Sequence, residues 1–328
     1  MLFVPDHKLN IIKERDYDAE FAALEKRLSE YTVSGEVASF DGTHLKYEYC
    51  LAESAAASVV IVHGFTEFMR KYHEAAGYFL NQGYNVFMYD QRGHGMSGRE
   101  TPDLRLTHIN NFDDYVNDLR FFIDNVVKPA SDAPIFLFSH SMGGAVVLLY
   151  LQRYGNEIGK AVLSSPLICP RMHGLSRSAL MKIVEHDARL YGWDAAFRHA
   201  SYFNPDPSFE KSSDCSEARF LMNLNHRRSD IHYQNSASTN GWMRETLSLY
   251  DRIMKDRRTE EIPTEILLVT AGKDRVVRIH PQTALLKKLP AAKQVYLENA
   301  KHTAFHAGSD EENRRYWQAV FDFLSGTV

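Results

Sequence analysis

Ser141 lies in the run Ser139-His140-Ser141-Met142-Gly143-Gly144-Ala145, between the apolar stretches Ile135-Phe136-Leu137-Phe138 and Val146-Val147-Leu148-Leu149-Tyr150. A strand that turns sharply into a helix lifts one side chain above a sheet, and small residues two positions to either side keep the turn free of clashes. Gly143 fills the second of these positions, and Ser139 stands at the first, where glycine is usual. Serines also cap helices, and a bare small-x-Ser-x-Gly pentapeptide is common. The preceding strand, the following helix and the double glycine turn the balance toward a nucleophile. The chemistry such a serine performs is acyl transfer.

Acyl transfer needs an imidazole to take the serine proton, a carboxylate to orient that imidazole, and donors for the oxyanion. With a nucleophile of this kind the acid and then the base follow the serine along the chain. Asp274 closes the run Leu267-Leu268-Val269-Thr270-Ala271-Gly272-Lys273-Asp274 and is the candidate acid; a solvated turn aspartate is the plain alternative. His302 follows the strand Gln294-Val295-Tyr296-Leu297 and is the candidate base, preferred to His306, which is expected to serve as a surface or lid contact. The backbone N–H of Met142, next after the serine, is one expected oxyanion donor. Phe65 N–H, in the loop after Val59-Val60-Ile61-Val62-His63-Gly64, is the other, with His63 as a structural histidine at the strand end. The turn Asp90-Gln91-Arg92-Gly93-His94-Gly95 lacks the Gly-Lys-Ser/Thr ending of a phosphate loop, so Asp90 and Arg92 read as local structural partners.

These residues must be held by a scaffold. Two strands joined at Asp41-Gly42 span Gly35 to Leu51. Short unbroken apolar runs then alternate with helical patterns: strands at Ser58 to Val62, Asn85 to Tyr89, Ile135 to Phe138, Ala161 to Leu163, Glu265 to Thr270 and Gln294 to Leu297. Helices are expected near Tyr72 to Gln82, Phe112 to Val127, Gly143 to Tyr154, Pro281 to Leu289 and Asp310 to Phe323. Alternation of this kind predicts an α/β fold, a mostly parallel central sheet with helices on both faces. It stops after Ser164-Ser165-Pro166 and resumes at Ile262-Pro263, so the stretch between reads as an inserted helical cap. The division is 1–34, an N-terminal helical extension; 35–165 and 259–328, the core; and 166–258, the cap.

The net charge of −4, with no basic tail or stripe, gives no reason to expect nucleic acid as a partner. The cap carries 14 Lys and Arg against 11 Asp and Glu, so a body near −7 lies beneath a cap near +3. Three scattered cysteines suit neither a disulfide framework nor a zinc site, and a reducing, cytoplasmic location fits. The N-terminus has no secretory pattern, and no apolar run approaches the ~20 residues needed to span a bilayer. Peripheral contact with the inner face of the cytoplasmic membrane remains open to the mildly basic cap. Within the cap, Leu180, Met181, Ile183, Val184, Leu190, Tyr191 and Trp193 could line an acyl pocket, but their helical spacing favours the cap's own core.

The Ser139 to Ala145 run, together with Asn111-Phe112-Asp113-Asp114-Tyr115-Val116-Asn117-Asp118-Leu119 and Gly241-Trp242-Met243-Arg244-Glu245, resembles the α/β-hydrolase superfamily. More narrowly it is similar to the monoacylglycerol lipase and lysophospholipase branch, above all to bacterial lysophospholipases associated with the inner membrane. The likeness extends over nearly all of the chain after about residue 35. Those lysophospholipases share the non-glycine at the Ser139 position; the two departures are Thr303, where the branch carries glutamate after the histidine, and the loop after the first strand, which differs in detail. The resemblance implies an α/β-hydrolase fold and hydrolysis of a lysophospholipid or monoacylglycerol ester, with no metal or organic cofactor. A small ester, or a peptide with a free N-terminus as in proline iminopeptidase relatives, is the alternative substrate. A catalytically silent binding protein on the same fold is the reading from another class.

Overall fold

The computed structural model describes residues 1–199 and 202–327. The strands of its main sheet are β1 (Val33–Ala38), β2 (His44–Cys50), β3 (Ser58–Val62), β4 (Asn85–Tyr89), β6 (Ile135–His140), β7 (Lys160–Ser164), β9 (Glu265–Ala271) and β10 (Ala292–Leu297). Two short strands, β5 (Leu106–Thr107) and β8 (Ala237–Ser238), form a separate parallel pair. The main sheet runs β1-β2-β4-β3-β6-β7-β9-β10. The β1–β2 and β2–β4 pairs are antiparallel and the rest parallel. The strand order reverses between β3 and β6, and a doubly wound sheet opens a crevice at the carboxyl ends of the two strands flanking such a reversal.

The helices are α1 (Tyr17–Ser29), α2 (His73–Asn81), α3 (Asp113–Phe122), α4 (Lys128–Ala130), α5 (Met142–Tyr154), α6 (Arg177–Tyr191), α7 (Glu217–Ser229), α8 (Asn240–Met254), α9 (Ile279–Leu286) and α10 (Asp310–Ser325). The apolar strands are buried on both faces because their side chains alternate between two cores. Val60, Val62, Phe87 and Leu137 pack with α3, α5 and α8. Val59, Ile61, Val86 and Phe138 pack with α1, α2 and α10 on the opposite face. In α10, Ser309 accepts from Glu312 N–H, acids occupy the first turn, and Gly326 closes the helix at φ +78°.

Several boundaries differ from the sequence reading. The first strand begins at Val33, inside the stretch assigned to the N-terminal extension, and Phe3 pairs with Ala52. The helix expected from Phe112 to Val127 is interrupted by a π turn over Ile123–Val127. Between β7 and β9 lie α6, α7 and α8, with no strand of the main sheet among the described residues. Of the apolar residues singled out there, Leu180 and Val184 are buried with Cys169, Met172 and Leu247. Leu190, Tyr191 and Trp193 are exposed, and the Arg244 guanidinium lies 4.5 Å over the Trp193 ring.

Candidate active site

Ser141 follows β6 directly and precedes α5 with φ +50° and ψ −115°, a strained backbone for a residue with a side chain. The strain is enforced from below. A Cβ on Gly143 would stand 2.1 Å from Val62 O and 2.7 Å from His63 O, so only glycine lets α5 lie against β3. Ser139 takes the other small position without conflict: it is fully buried, and its hydroxyl donates to Val162 O at 3.1 Å. Ser141 makes no side-chain cap bond to α5, which removes the helix-cap explanation of this serine. Its Oγ donates instead to His302 Nε2 at 2.8 Å.

His302 Nδ1 donates in turn to Asp274 Oδ2 at 2.7 Å. Asp274 is 1% exposed, so it is no solvated turn aspartate, and its Oδ1 accepts from Val276 N–H (2.8 Å) and Val277 N–H (2.9 Å). Burial works against its charge, but the hydrogen bond and charge of His302 and these two amides hold its pKa below the ordinary carboxylate value. Burial dominates at His302 and lowers the imidazole pKa from 6.5, with Asp274 opposing and His140 assisting. A base that is neutral at pH 7 is the consequence. The structure thus brings together the serine, histidine and aspartate named from the sequence.

His306 is 1% exposed and packs on Phe305. A surface contact is therefore ruled out: the short helical turn Ala304–His306 folds the side chain inward, and burial drives its pKa well below the ordinary histidine value. His63 is buried, accepts from Gln91 N–H at 2.9 Å through Nε2 and donates to Gly64 O at 2.8 Å through Nδ1, a structural arrangement. Asp90 accepts from Met69 and Met96 N–H. Arg92 is a long-range rather than a local partner, pairing with Asp118 at 2.6 Å and Asp41 at 2.9 Å.

Phe65 and Met142, the expected oxyanion donors, stand at the ends of β3 and β6 on either side of the strand-order reversal. Met142 N–H is the first of α5, so the positive end of a 13-residue helix faces any charge formed there. The Phe65 ring lies against Trp242, with centroids 4.0 Å apart, which ties this loop to α8.

A buried ionic cluster braces the same loop and was not foreseen. Glu67 accepts from Gly64 N–H (2.6 Å), Tyr72 OH (2.5 Å) and Lys71 Nζ (2.7 Å), and its Oε2 is 3.0 Å from His140 Nδ1. His140 Nε2 is 3.2 Å from the carbonyl oxygen of His302. Burial opposes the Glu67 charge, yet His140 and Lys71 keep its pKa well below the usual range. The only sequence signal was the Glu67 and Lys71 spacing of four and the position of His140 beside the serine.

Ser141 and His302 open on a cavity of about 260 Å³ walled by Phe65, Glu67, Lys71, Asp214, Asn223 and Arg227, among others. Asn223 is 7% exposed and Asp214 9%. Both amide atoms of Asn223 and Asp214 Oδ1 are buried without hydrogen-bond partners among the described residues; Lys71 Nζ is 3.6 Å from Asp214 Oδ1. Charges and unpaired amides facing the nucleophile suit the polar part of a substrate, since leaving such groups against hydrocarbon is costly.

The family described as serine aminopeptidase, S33, matches residues 53–307. A probable lysophospholipase L2 from Haemophilus influenzae is 29% identical over 287 residues, 86% of this chain and 88% of that protein. Lysophospholipase L2 from Escherichia coli is 30% identical over 233 residues, 70% of this chain and 67% of that protein. Among solved structures, a soluble variant of the Saccharomyces cerevisiae monoglyceride lipase with a substrate analogue aligns at TM-score 0.72 and 18% identity, over 90% of this chain and 94% of that one. A thermostable carboxyl esterase from Bacillus coagulans aligns at TM-score 0.70 and 17% identity, over 90% and 98%.

Proposed function

The chain belongs to the serine aminopeptidase S33 family of α/β-hydrolases, and from that premise we propose that it hydrolyses the carboxylic ester of a lysophospholipid or monoacylglycerol. The observation that carries the reading is the hydrogen-bonded line Ser141–His302–Asp274 at the carboxyl ends of β6, β10 and β9. Ser141 Oγ attacks the ester carbonyl as His302 Nε2 takes its proton, and Asp274 holds the imidazolium that forms. The N–H groups of Phe65 and Met142 receive the oxyanion. His302 then protonates the departing alcohol, leaving an acyl-Ser141 that water opens by the same route in reverse. Asp214 and Asn223 take hydroxyls of the alcohol half, which explains buried donors and acceptors with no internal partner. Glu67 fixes Gly64 and so acts as a positioning residue for the Phe65 donor.

In this reading residues 35–165 and 259–328 form the hydrolase core and 166–258 the cap. The lysophospholipase and monoglyceride lipase names of the relatives favour a lipid ester over a small ester or a peptide. No helix among the described residues is long and apolar enough to cross a membrane. The cap's surplus of three positive charges fits peripheral contact with an anionic lipid surface on the cytoplasmic side.

The test is Ser141→Ala. The variant should fold, lose turnover of nitrophenyl esters and of lysophosphatidylcholine, and no longer label with a fluorophosphonate. Retained turnover would remove Ser141 from the chemistry, and wild-type cleavage of aminoacyl amides in preference to lipid esters would move the protein to the peptidase reading.

A further inference from the structure

A second cavity, of about 410 Å³, adjoins the one at Ser141 and shares Ser213, Val276 and His302 with it. Its walls carry Lys211, Lys273, Arg275 and Lys301 and a single carboxylate, Glu210. The four cations come from three separate stretches of chain. Lys273 and Arg275 flank Asp274, Lys301 precedes His302, and Lys211 comes from the segment between α6 and α7.

That segment is stitched to the histidine loop. Thr303 N–H donates to Ser213 O at 3.1 Å, Lys301 N–H to Cys215 Sγ at 3.1 Å, and Asp214 bridges Thr303. Lys301 Nζ also lies 4.6 Å over the Phe209 ring of the same segment. The convergence is therefore built by the fold. None of the four cations forms an ion pair with a carboxylate within 4.0 Å among the described residues, and Glu210 is engaged by the Ser208 hydroxyl. Lys211, Lys273 and Arg275 are exposed and Lys301 is half-buried, so the four present a positive field to an anion entering the cavity from solvent.

We infer that this vestibule is a phosphate subsite that reads the head group of a glycerophospholipid. The inference rests on the ester-hydrolase reading and narrows it from either lipid ester to the phosphorylated one. With the ester carbonyl at Ser141, the glycerol hydroxyl meets Asp214 and Asn223 in the first cavity, and the phosphate, one glycerol length farther, reaches the cations of the second. A monoacylglycerol fills the first cavity and leaves the second empty. Lys211 and Arg275 are then specificity-determining residues, since neither touches the nucleophile, the base or the acid through any hydrogen bond.

The experiment compares short-chain 1-acylglycerol-3-phosphate with the matching monoacylglycerol, both kept monomeric so that lipid surfaces play no part. The ratio of their kcat/KM values is the readout, because a merely structural defect lowers both together. Wild type is expected to favour the phosphorylated substrate, and Lys211→Glu with Arg275→Glu to lower the ratio by about tenfold or more. Glycerol 3-phosphate should inhibit monoacylglycerol cleavage competitively in wild type and far less in the double variant. A ratio unchanged in the double variant would overturn the subsite. So would a loss seen only on substrate presented in anionic vesicles, which would assign the cations to surface docking. Inhibition by inorganic phosphate as strong as by glycerol 3-phosphate would make this a bare-anion site and overturn the head-group assignment. Failure of wild type on either substrate and on nitrophenyl butyrate would instead sink the ester-hydrolase reading itself.

Discussion

Asp274→Asn isolates what the buried carboxylate does. The substitution keeps the side-chain shape, and the amides of Val276 and Val277 can still donate to the remaining carbonyl oxygen. What disappears is a negative charge whose oxygen is 2.7 Å from His302 Nδ1, on a residue only 1% exposed. With charge centres about 4 Å apart and an effective dielectric of about 20, the imidazolium formed during attack loses roughly 4 kcal/mol of attraction. Each 1.36 kcal/mol is a tenfold change, so kcat should fall by about 10³. The carboxamide can also present its NH₂ to Nδ1 and hold the wrong imidazole tautomer, which carries the loss toward about 10⁴. Initial rates on nitrophenyl butyrate measure it, with a thermal melt to establish that the variant is folded. A folded variant with less than a tenfold loss would refute the assignment of Asp274 as the orienting acid.

Other consequences follow from the same geometry. The kcat/KM of the free enzyme should rise with pH as His302 loses its proton, because only the neutral imidazole accepts from Ser141. Since burial lowers that pKa, the midpoint should fall below 6.5; a pH profile with a midpoint above 6.5 would contradict it. Gly143→Ala forces a Cβ within 2.1 Å of the Val62 carbonyl, so urea melts should show a loss of about 3 kcal/mol, or no folded protein at all. Arg219 of α7 is 1% exposed, with Nη2 2.5 Å from Glu74 Oε1, Nη1 3.1 Å from Glu14 Oε2 and a further bond to Ile12 O. Arg219→Met leaves Glu74 buried without its cation and should cost about 3–5 kcal/mol of unfolding free energy, whereas a change below 1 kcal/mol would show that this pairing does not anchor α7.

The residues proposed to perform the chemistry were legible because their signals are local. A strand, a sharp turn with Gly143 and a helix specify where Ser141 stands, since the backbone strain and the close approach of α5 to β3 admit few other sequences. Asp274 and His302 each follow a strand in a short polar loop, so chain order and strand ends sufficed to nominate them. Unbroken apolar strands likewise predicted a sheet covered on both faces, and the two cores accord with it.

What the tertiary structure alone decided depends on contacts between stretches far apart in the chain. The preference for His302 over His306 becomes a distance only when β10 is laid beside β9, which carries Asp274 into line. Arg92 finds Asp118 rather than a neighbour in its turn. Glu67 reaches His140 across 73 positions and fixes the loop that holds Phe65; the spacing of Glu67 and Lys71 and the place of His140 beside the serine do not by themselves say that the two meet. The cations of the vestibule lie on three separate stretches and meet because the 213–215 segment pairs with the histidine loop. Sequence periodicity specifies which face of an element is buried. Which charges then face one another across a cavity is set by strand order and loop docking, which no local window encodes.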